Sequence, residues 1–369
     1  MKILFVVNFD WFFITHRLPL AIESLKKGYE VHLACGLTNY NHKEYLKNLG
    51  IKVHELHLSR SGRSINREIK AFSEINKVLK IIDPNIVHFV SIKPILYGGI
   101  ASRFIKLPKK VFSLSGLGFV FTDYGYKASL FRLLIKIMYK FALGGKNTHV
   151  IVQNPDDKAF VKSIVNAPIT LIKGSGVDLK KYKYIEEENK NLKVCMASRL
   201  LKDKGVFEFI EASKNLKKKF PEVTFELYGE IDPPNPASLN TRDLEKIKED
   251  GSVNVCGYEN NIAKVFSDAN IIVLPSYREG FPKVLMEAAA CGRSVVTSDV
   301  PGCRDAIKNN VSGFLCKVKD ADSLSQMIEK LLSDQGLRNK MGEAGRKLAQ
   351  QEFDIKKVVN KHFEIYHID

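Results

Sequence analysis

Residues 270–299 read NIIVLPSYREGFPKVLMEAAACGRSVVTSD. The run NIIVLPS has no polar alternation, and neither does the start of SVVTSD at the other end. Continuous apolar runs of this length are the mark of strands buried on both faces, and a helix between two of them makes the crossover of a parallel sheet. The connecting stretch supplies that helix. Gly280-Phe281-Pro282 is a poor helix interior but a good entrance, because proline in the first turn has no needed N–H to lose. The stretch therefore predicts one β–α–β unit, with Glu279 ahead of the helix and Glu287 more than a turn inside it.

The same alternation extends on both sides. Towards the N-terminus lie NLKVCMAS, a helix over residues 205–219, VTFELYG and VNVCG. Further back is a separate series: KILFVVNF, a helix over 18–27, EVHLAC, KVHELHL, a helix over 66–82, IVHFVS, a helix near 94–104, KVFSLS and THVIVQN. Between the series, YKYIEEENKNL is polar and charged and reads as a linker, and FDIKKVVNKHFEIYHID at the end reads as one more amphipathic helix. At about 100–200 residues per domain, a chain of 369 residues is expected to form two domains. Two tandem α/β domains with parallel, doubly wound sheets follow from the pattern.

Composition narrows the setting. The start MKILFVVNFDWFF lacks a signal peptide's small-residue cleavage site and reads as a first buried strand. No run reaches the ~18 apolar residues of a spanning helix. The six cysteines are scattered without a CxxC pair, which predicts reduced thiols rather than disulfides or zinc. The net charge of +16 attracts polyanions of any kind, from nucleic acid to lipid head groups and diphosphates. No recognised nucleic-acid-binding motif or aromatic-interleaved basic patch accompanies it, so a nucleic-acid partner is not expected.

Ligands of open α/β sheets bind beyond the carboxyl ends of the strands. After VCMA comes SRLLKDKG, where Arg199 and Lys204 bracket a turn. A guanidinium offers forked bonds to phosphate oxygens and a lysine offers a mobile charge, although a solvated basic loop has the same composition. In the 270–299 stretch, Gly280 lets backbone approach a ligand, and free N–H groups at the helix start favour a phosphate or sugar oxygen. Glu279 and Glu287 can accept hydrogen bonds from vicinal hydroxyls. One acid on a hexose, one on a ribose and a diphosphate between them describe a nucleotide sugar. For either acid alone, a solvated helix residue is the alternative, less so for Glu287, whose neighbours Ala-Ala-Ala-Cys-Gly look buried.

SYREGFPKVLMEAAACGRSVVTSDVPGCRDAI…GFL resembles the E-x7-E signature of retaining glycosyltransferases of family 4, SRLLKDKG is similar to that family's basic loop, and GVDLKKY to its interdomain segment. The resemblance implies a GT-B fold: two Rossmann-like doubly wound domains facing a cleft, with the C-terminal helix crossing back to the N-terminal domain. It implies an acceptor-binding domain over 1–175 joined by a final helix at about 353–369, and a nucleotide-sugar-binding domain over 176–352. Arg199 and Lys204 would hold the donor diphosphate. Glu279, with Gly280, Phe281 and Pro282, would hold the transferred sugar, Glu287 the ribose, and Tyr258 would lie near the base. Arg199, Lys204, Glu279 and His88 form the implied catalytic set, with no metal and no cofactor. Gly302-Cys303 and Asp305 depart from the commoner Gly-Gly and Glu, with little functional effect expected.

The first domain carries no glycine in NFDWFFITHRLPLA, where many relatives have a glycine-rich loop. HRLP, VHFVSIKPILYGGIASR and SLSGLGFVFTDYG instead resemble a subgroup that builds bacterial surface polysaccharides and glycans. His16 and Arg17, at the opening of the first helix, are candidates for an acceptor phosphate or sugar, as are Lys93 and the Ser115-Gly116 turn. His88 is either a histidine near the donor sugar or a satisfied core residue. In residues 127–146, Arg132, Lys136 and Lys140 recur every four residues, with Phe131, Leu134, Ile135, Met138 and Ala142 on another face. No acid occurs between Asp123 and Asp156. That pattern fits a helix on an anionic membrane surface, or an ordinary helix with lysines in water.

The combined expectation is a cytoplasmic transferase, peripheral on the inner face of the membrane. It would move a hexose or N-acetylhexosamine from a nucleotide diphosphate sugar, UDP preferred, to a polyprenyl-diphosphate-linked saccharide. A nucleotide-sugar 2-epimerase of similar shape is the alternative enzyme.

Overall fold

The structure is a computed structural model that describes residues 1–58, 65–116, 126–187 and 191–367, with the backbone alone for 126–132. Every apolar run named above forms a strand. In the first unit these are β1 (Lys2–Phe9), β2 (Glu30–Gly36), β3 (Lys52–Glu55), β4 (Ile86–Val90), β5 (Lys109–Ser113) and β6 (Thr148–Val152), joined by β7 (Ile169–Leu171). They make one parallel sheet in the order β3-β2-β1-β4-β5-β6-β7. The second unit holds β8 (Lys193–Ala197), β9 (Thr224–Tyr228), β10 (Asn254–Gly257), β11 (Ile271–Leu274), β12 (Ser294–Ser298) and β13 (Gly313–Cys316). Their order is β10-β9-β8-β11-β12-β13, again parallel. The chain divides into Met1–Ser175 with Lys356–Asp369, and Gly176–Ile355.

The central strands are where the apolar runs are longest. All of β4, β6, β11 and β12 is buried, as parallel strands covered by helices on both faces must be. Each sheet reverses its winding once, between β1 and β4 in the first and between β8 and β11 in the second. At such a switch point the loops on the carboxyl side diverge and leave a crevice. SRLLKDKG follows β8 and SYREGFP follows β11, so the two motifs flank the reversal in the second sheet.

Several local expectations change. The loop expected after β1 is a helix, Asp10–His16, followed by Arg17 and a second helix, Leu18–Lys26. His16 therefore closes one helix and Arg17 joins two, rather than opening the first. Buried Asp10 anchors this arrangement by accepting the N–H groups of Trp11, Thr38 and Asn39 and the Thr38 hydroxyl. The expected linker 182–192 is pinned to the second unit where it is described. Arg338 bonds Glu187 at 2.6 Å with both side chains nearly inaccessible, Arg293 donates to the Ile185 carbonyl, and Tyr182 is buried. Pro282 stands one residue before its helix, at the N-cap of Lys283–Ala290, with ψ 122. The thiols are all free, and all but Cys256 are buried.

Candidate functional site

In the second unit, two glycines bring the motif loops together. Gly205, at φ +76, caps the helix Val206–Lys217, and a Cβ there would stand 2.2 Å from the Pro275 carbonyl oxygen. Gly302, at φ +80, would place a Cβ 2.5 Å from the carbonyl oxygen of Glu279. Any side chain at either position would push the loops apart. The Tyr277 N–H donates to the Asp203 carbonyl at 2.9 Å, which ties SRLLKDKG directly to SYREGFP.

This seam puts Lys204 against Glu279. The ammonium lies 2.5 Å from Oε1, and both side chains are mostly buried. The Ser276 hydroxyl, fully buried, donates to the same oxygen at 2.8 Å. Glu287, 6% exposed, has the same design one turn into the helix: the Tyr182 hydroxyl donates to its Oε1 at 2.6 Å, and Lys283 lies 3.4 Å from that atom. Burial, and then the charge of Glu287, pushes the Tyr182 phenol far up, so it stays a donor at any working pH. Each acid thus spends one oxygen on the protein. The other, Oε2, has no protein partner among the described residues and is open to a ligand hydroxyl.

Around this pair, Arg199 is half-exposed with one guanidinium nitrogen 2.9 Å from Asp232. Burial pushes the Asp203 carboxyl up. Gly280, Phe281 and Pro282 lead into the helix Lys283–Ala290, and Phe281 packs edge-on against Phe353 at 5.5 Å. Beyond β9 and β10 opens a cavity of ≈ 480 Å³, lined by Glu230, Ile231, Leu244, Lys248, Val255 and Cys256 among others. Tyr258, 66% exposed, follows directly on β10.

In the first unit His16 and Arg17 follow β1, Lys93 follows β4, and Ser115 and Gly116 follow β5, while His88 lies within β4. His16 Nδ1 is 3.0 Å from the Ser175 hydroxyl. Arg17 is buried and donates to the His16 carbonyl at 3.1 Å. Burial lowers its pKa to about 10, while neighbouring Tyr366 opposes that. Lys93 pairs with Glu68 at 2.7 Å, and Tyr97 bonds the other oxygen of Glu68. Ser115 and Gly116, the latter at φ 108, follow β5, whereas Leu117 and Gly118 lie outside the described residues. His88 is fully buried with both nitrogens used, Nδ1 by the Tyr366 hydroxyl at 2.7 Å and Nε2 by Ser113 at 2.6 Å. Burial holds its pKa well below the usual range. This is the satisfied core histidine of the two readings. Lys136 and Lys140 are exposed on the helix Tyr126–Leu143, and the Arg132 side chain lies outside the described residues.

Sequence reasoning missed Ser276, Tyr182 and the lining residues Leu244 and Lys248. Ser276 had a local signal, since it stands three residues ahead of Glu279 at the end of a strand. Tyr182 had none, being 105 residues from Glu287.

Residues 2–154 match the family described as "Glycosyl transferase 4-like", and residues 179–348 match "Glycosyl transferases group 1". The chain is 32% identical over 366 residues to a Campylobacter jejuni N,N'-diacetylbacillosaminyl-diphospho-undecaprenol alpha-1,3-N-acetylgalactosaminyltransferase, covering 95% of this chain and 94% of the relative. An Escherichia coli UDP-Gal:alpha-D-GlcNAc-diphosphoundecaprenol alpha-1,3-galactosyltransferase is 26% identical, covering 82% of this chain and 80% of the relative. Among solved structures, sucrose-phosphate synthase from Thermosynechococcus elongatus superposes with TM-score 0.82 at 19% identity, over 99% of this chain and 98% of the other. An Anabaena HepE in complex with UDP and glucose superposes with TM-score 0.74 at 20% identity, over 99% and 98%.

Proposed function

The chain belongs to the group 1 glycosyl transferases, and on that premise we propose that it moves a hexose or N-acetylhexosamine from a UDP-sugar to a sugar carried on a polyprenyl diphosphate. That it is a glycosyltransferase follows from the family; the donor, the acceptor and retention of anomeric configuration are the proposal. The names of the Campylobacter and Escherichia relatives support the lipid-linked acceptor and direct the first assay to UDP-N-acetylgalactosamine and UDP-galactose. The observation that carries the reading is the pair of acids, each with Oε1 held by the protein and Oε2 left for a hydroxyl.

In this proposal Glu279 accepts from hydroxyls of the transferred sugar and Glu287 from the ribose. The base lies in the cavity beside Tyr258. Arg199, Lys204 and the N–H groups at the start of Lys283–Ala290 take the diphosphate. As the glycosidic bond breaks, charge grows on the leaving diphosphate, and fixed cations and dipoles are worth most there. Lys204 then gives up part of its bond to Glu279, which lets the carboxylate meet the sugar. The acceptor's proton passes to the departing phosphate oxygen on the same face of the sugar, so neither acid has to act as a general base. The acceptor contacts are assigned to the first unit, at His16, Arg17, Lys93, Ser115 and Gly116, with the enzyme held at the inner face of the membrane through Arg132, Lys136 and Lys140 on an anionic surface.

Glu279→Ala tests the donor site: transfer should be abolished while the thermal unfolding midpoint stays within a few degrees, and near-wild-type turnover would sink the assignment. Chelation with EDTA should leave activity intact, because Arg199 and Lys204 supply the positive charge. Loss of activity restored only by Mg²⁺ or Mn²⁺ would refute metal-independent transfer.

A further inference from the structure

The helix Tyr126–Leu143 is apolar on two sides. Tyr139, Ala142 and Leu143 are buried in the core of the first unit, with Ile135 and Met138 packed against it. Leu133, Leu134, Ile137 and Phe141 are instead 54%, 53%, 57% and 48% exposed. The sequence pattern grouped Leu134 with Ile135, Met138 and Ala142 on one face, but Leu134 is exposed while the other three pack on the core. At about 100° per residue these four side chains share an arc of roughly 100°, and Lys136 and Lys140 stand on its immediate flank. Phe104, 77% exposed, adds to the same end of the helix, because neighbouring Arg103 stacks over the Phe141 ring at 4.9 Å and donates to the Phe141 carbonyl at 2.7 Å.

Single exposed apolar residues need no explanation, but a contiguous ridge marks a surface that is covered when the protein works. We propose that this ridge inserts into the head-group and upper acyl region of an anionic bilayer, so that the enzyme is anchored by burial of apolar side chains and not by charge alone. The inference rests on the reading of the chain as an enzyme of a membrane-borne acceptor and adds the mode of attachment. Charge selects the occupant. The helix contains four cations and no acid, and lysines beside an apolar stripe keep their heads at the lipid surface while their stems pack below. A second copy would bring the same lysines face to face across a two-fold axis, where like charges repel. From Leu133 to Phe141 the ridge runs about 12 Å, too short for a ~30 Å hydrocarbon layer but suited to lying in its surface. Among the described residues no helix is long and apolar enough to cross a membrane.

The test is vesicle flotation of the full chain at low salt and at about 1 M salt, where the Debye length shrinks to about 3 Å and surface attraction is screened. Phosphatidylcholine vesicles with and without phosphatidylglycerol are the probes. Insertion predicts preference for the anionic vesicles and substantial binding that survives high salt. The double variant Leu134→Glu/Ile137→Glu should lose at least about tenfold in partitioning at both salts, with its unfolding midpoint unchanged. Its transfer to a water-soluble, short-chain acceptor should also be unchanged. Complete release at high salt, flotation of the variant like wild type, or a dimer in solution that the variant splits would each overturn insertion. The soluble-acceptor assay reads the transferase assignment separately, so a failure there leaves the flotation result standing on its own.

Discussion

Tyr182→Phe removes one oxygen and little else. The ring stays in the core of the second unit, where Tyr182 is 6% exposed, so no cavity forms. What is lost is the 2.6 Å bond to Glu287 Oε1, leaving that oxygen only Lys283 at 3.4 Å. A hydrogen bond to a charged group contributes about 1.5–3 kcal/mol, and Glu287 is too buried for water to replace all of it. For a unit of this size, about 2 kcal/mol lowers the unfolding midpoint by roughly 4–8 °C. The same loss frees the Glu287 carboxylate to turn, which weakens its hold on the ribose. We expect the Kd for UDP by calorimetry and the KM for the UDP-sugar to rise together, by about tenfold, since 1.4 kcal/mol is one decade. The kcat should change less than about threefold, because the ribose is remote from the bond that breaks and its contacts are the same in ground and transition states. An unchanged UDP affinity with a normal midpoint would refute the role given to the hydroxyl. A fall in kcat with unchanged KM would refute the assignment of Glu287 to the ribose.

Ser276→Ala removes the buried 2.8 Å donor to Glu279 but leaves Lys204 in place, and kcat/KM should fall by about 5- to 30-fold, with kcat taking most of the loss. Equal loss in the KM for donor alone would argue against positioning of the reacting sugar. Stability should depend on pH through His88 and His362, both buried, the latter lowered from 6.5 to about 3 by burial and by the nearby charge of Arg17. The unfolded chain takes up these two protons below pH 6.5 and the folded one does not. Stability is therefore full above pH 6.5 and falls as pH drops towards the folded values, by up to about 2.7 kcal/mol per unit for the pair. Urea unfolding of wild type and His362→Gln at pH 7.5, 6 and 5 measures it, and the variant should show the smaller slope; identical slopes would contradict the account.

The fold was legible because parallel strands buried on both faces leave long apolar runs, and eleven such runs appear as strands. Two strands were not read, β7 and β13, each at the edge of its sheet. The burial of Glu287 was legible in its small, apolar neighbours. Its partner was not, since Tyr182 sits in a stretch whose charge resembles a linker. His88 was undecidable from its strand alone: what satisfies it is Tyr366, 278 residues away on the helix Ile355–His367. Helical period likewise could not divide the apolar residues of Tyr126–Leu143 between core and surface, because that helix is apolar on both arcs.

Incubation of the purified chain with UDP-N-acetylgalactosamine or UDP-galactose and a short-chain polyprenyl-diphosphate saccharide, read by mass spectrometry, tests the central claim most directly. The account predicts that the acceptor gains one sugar residue, that UDP is released in equal amount, and that the new linkage keeps the donor's anomeric configuration. A donor converted to its epimer with the acceptor untouched, or an acceptor unchanged across UDP- and GDP-sugars alike, would contradict it.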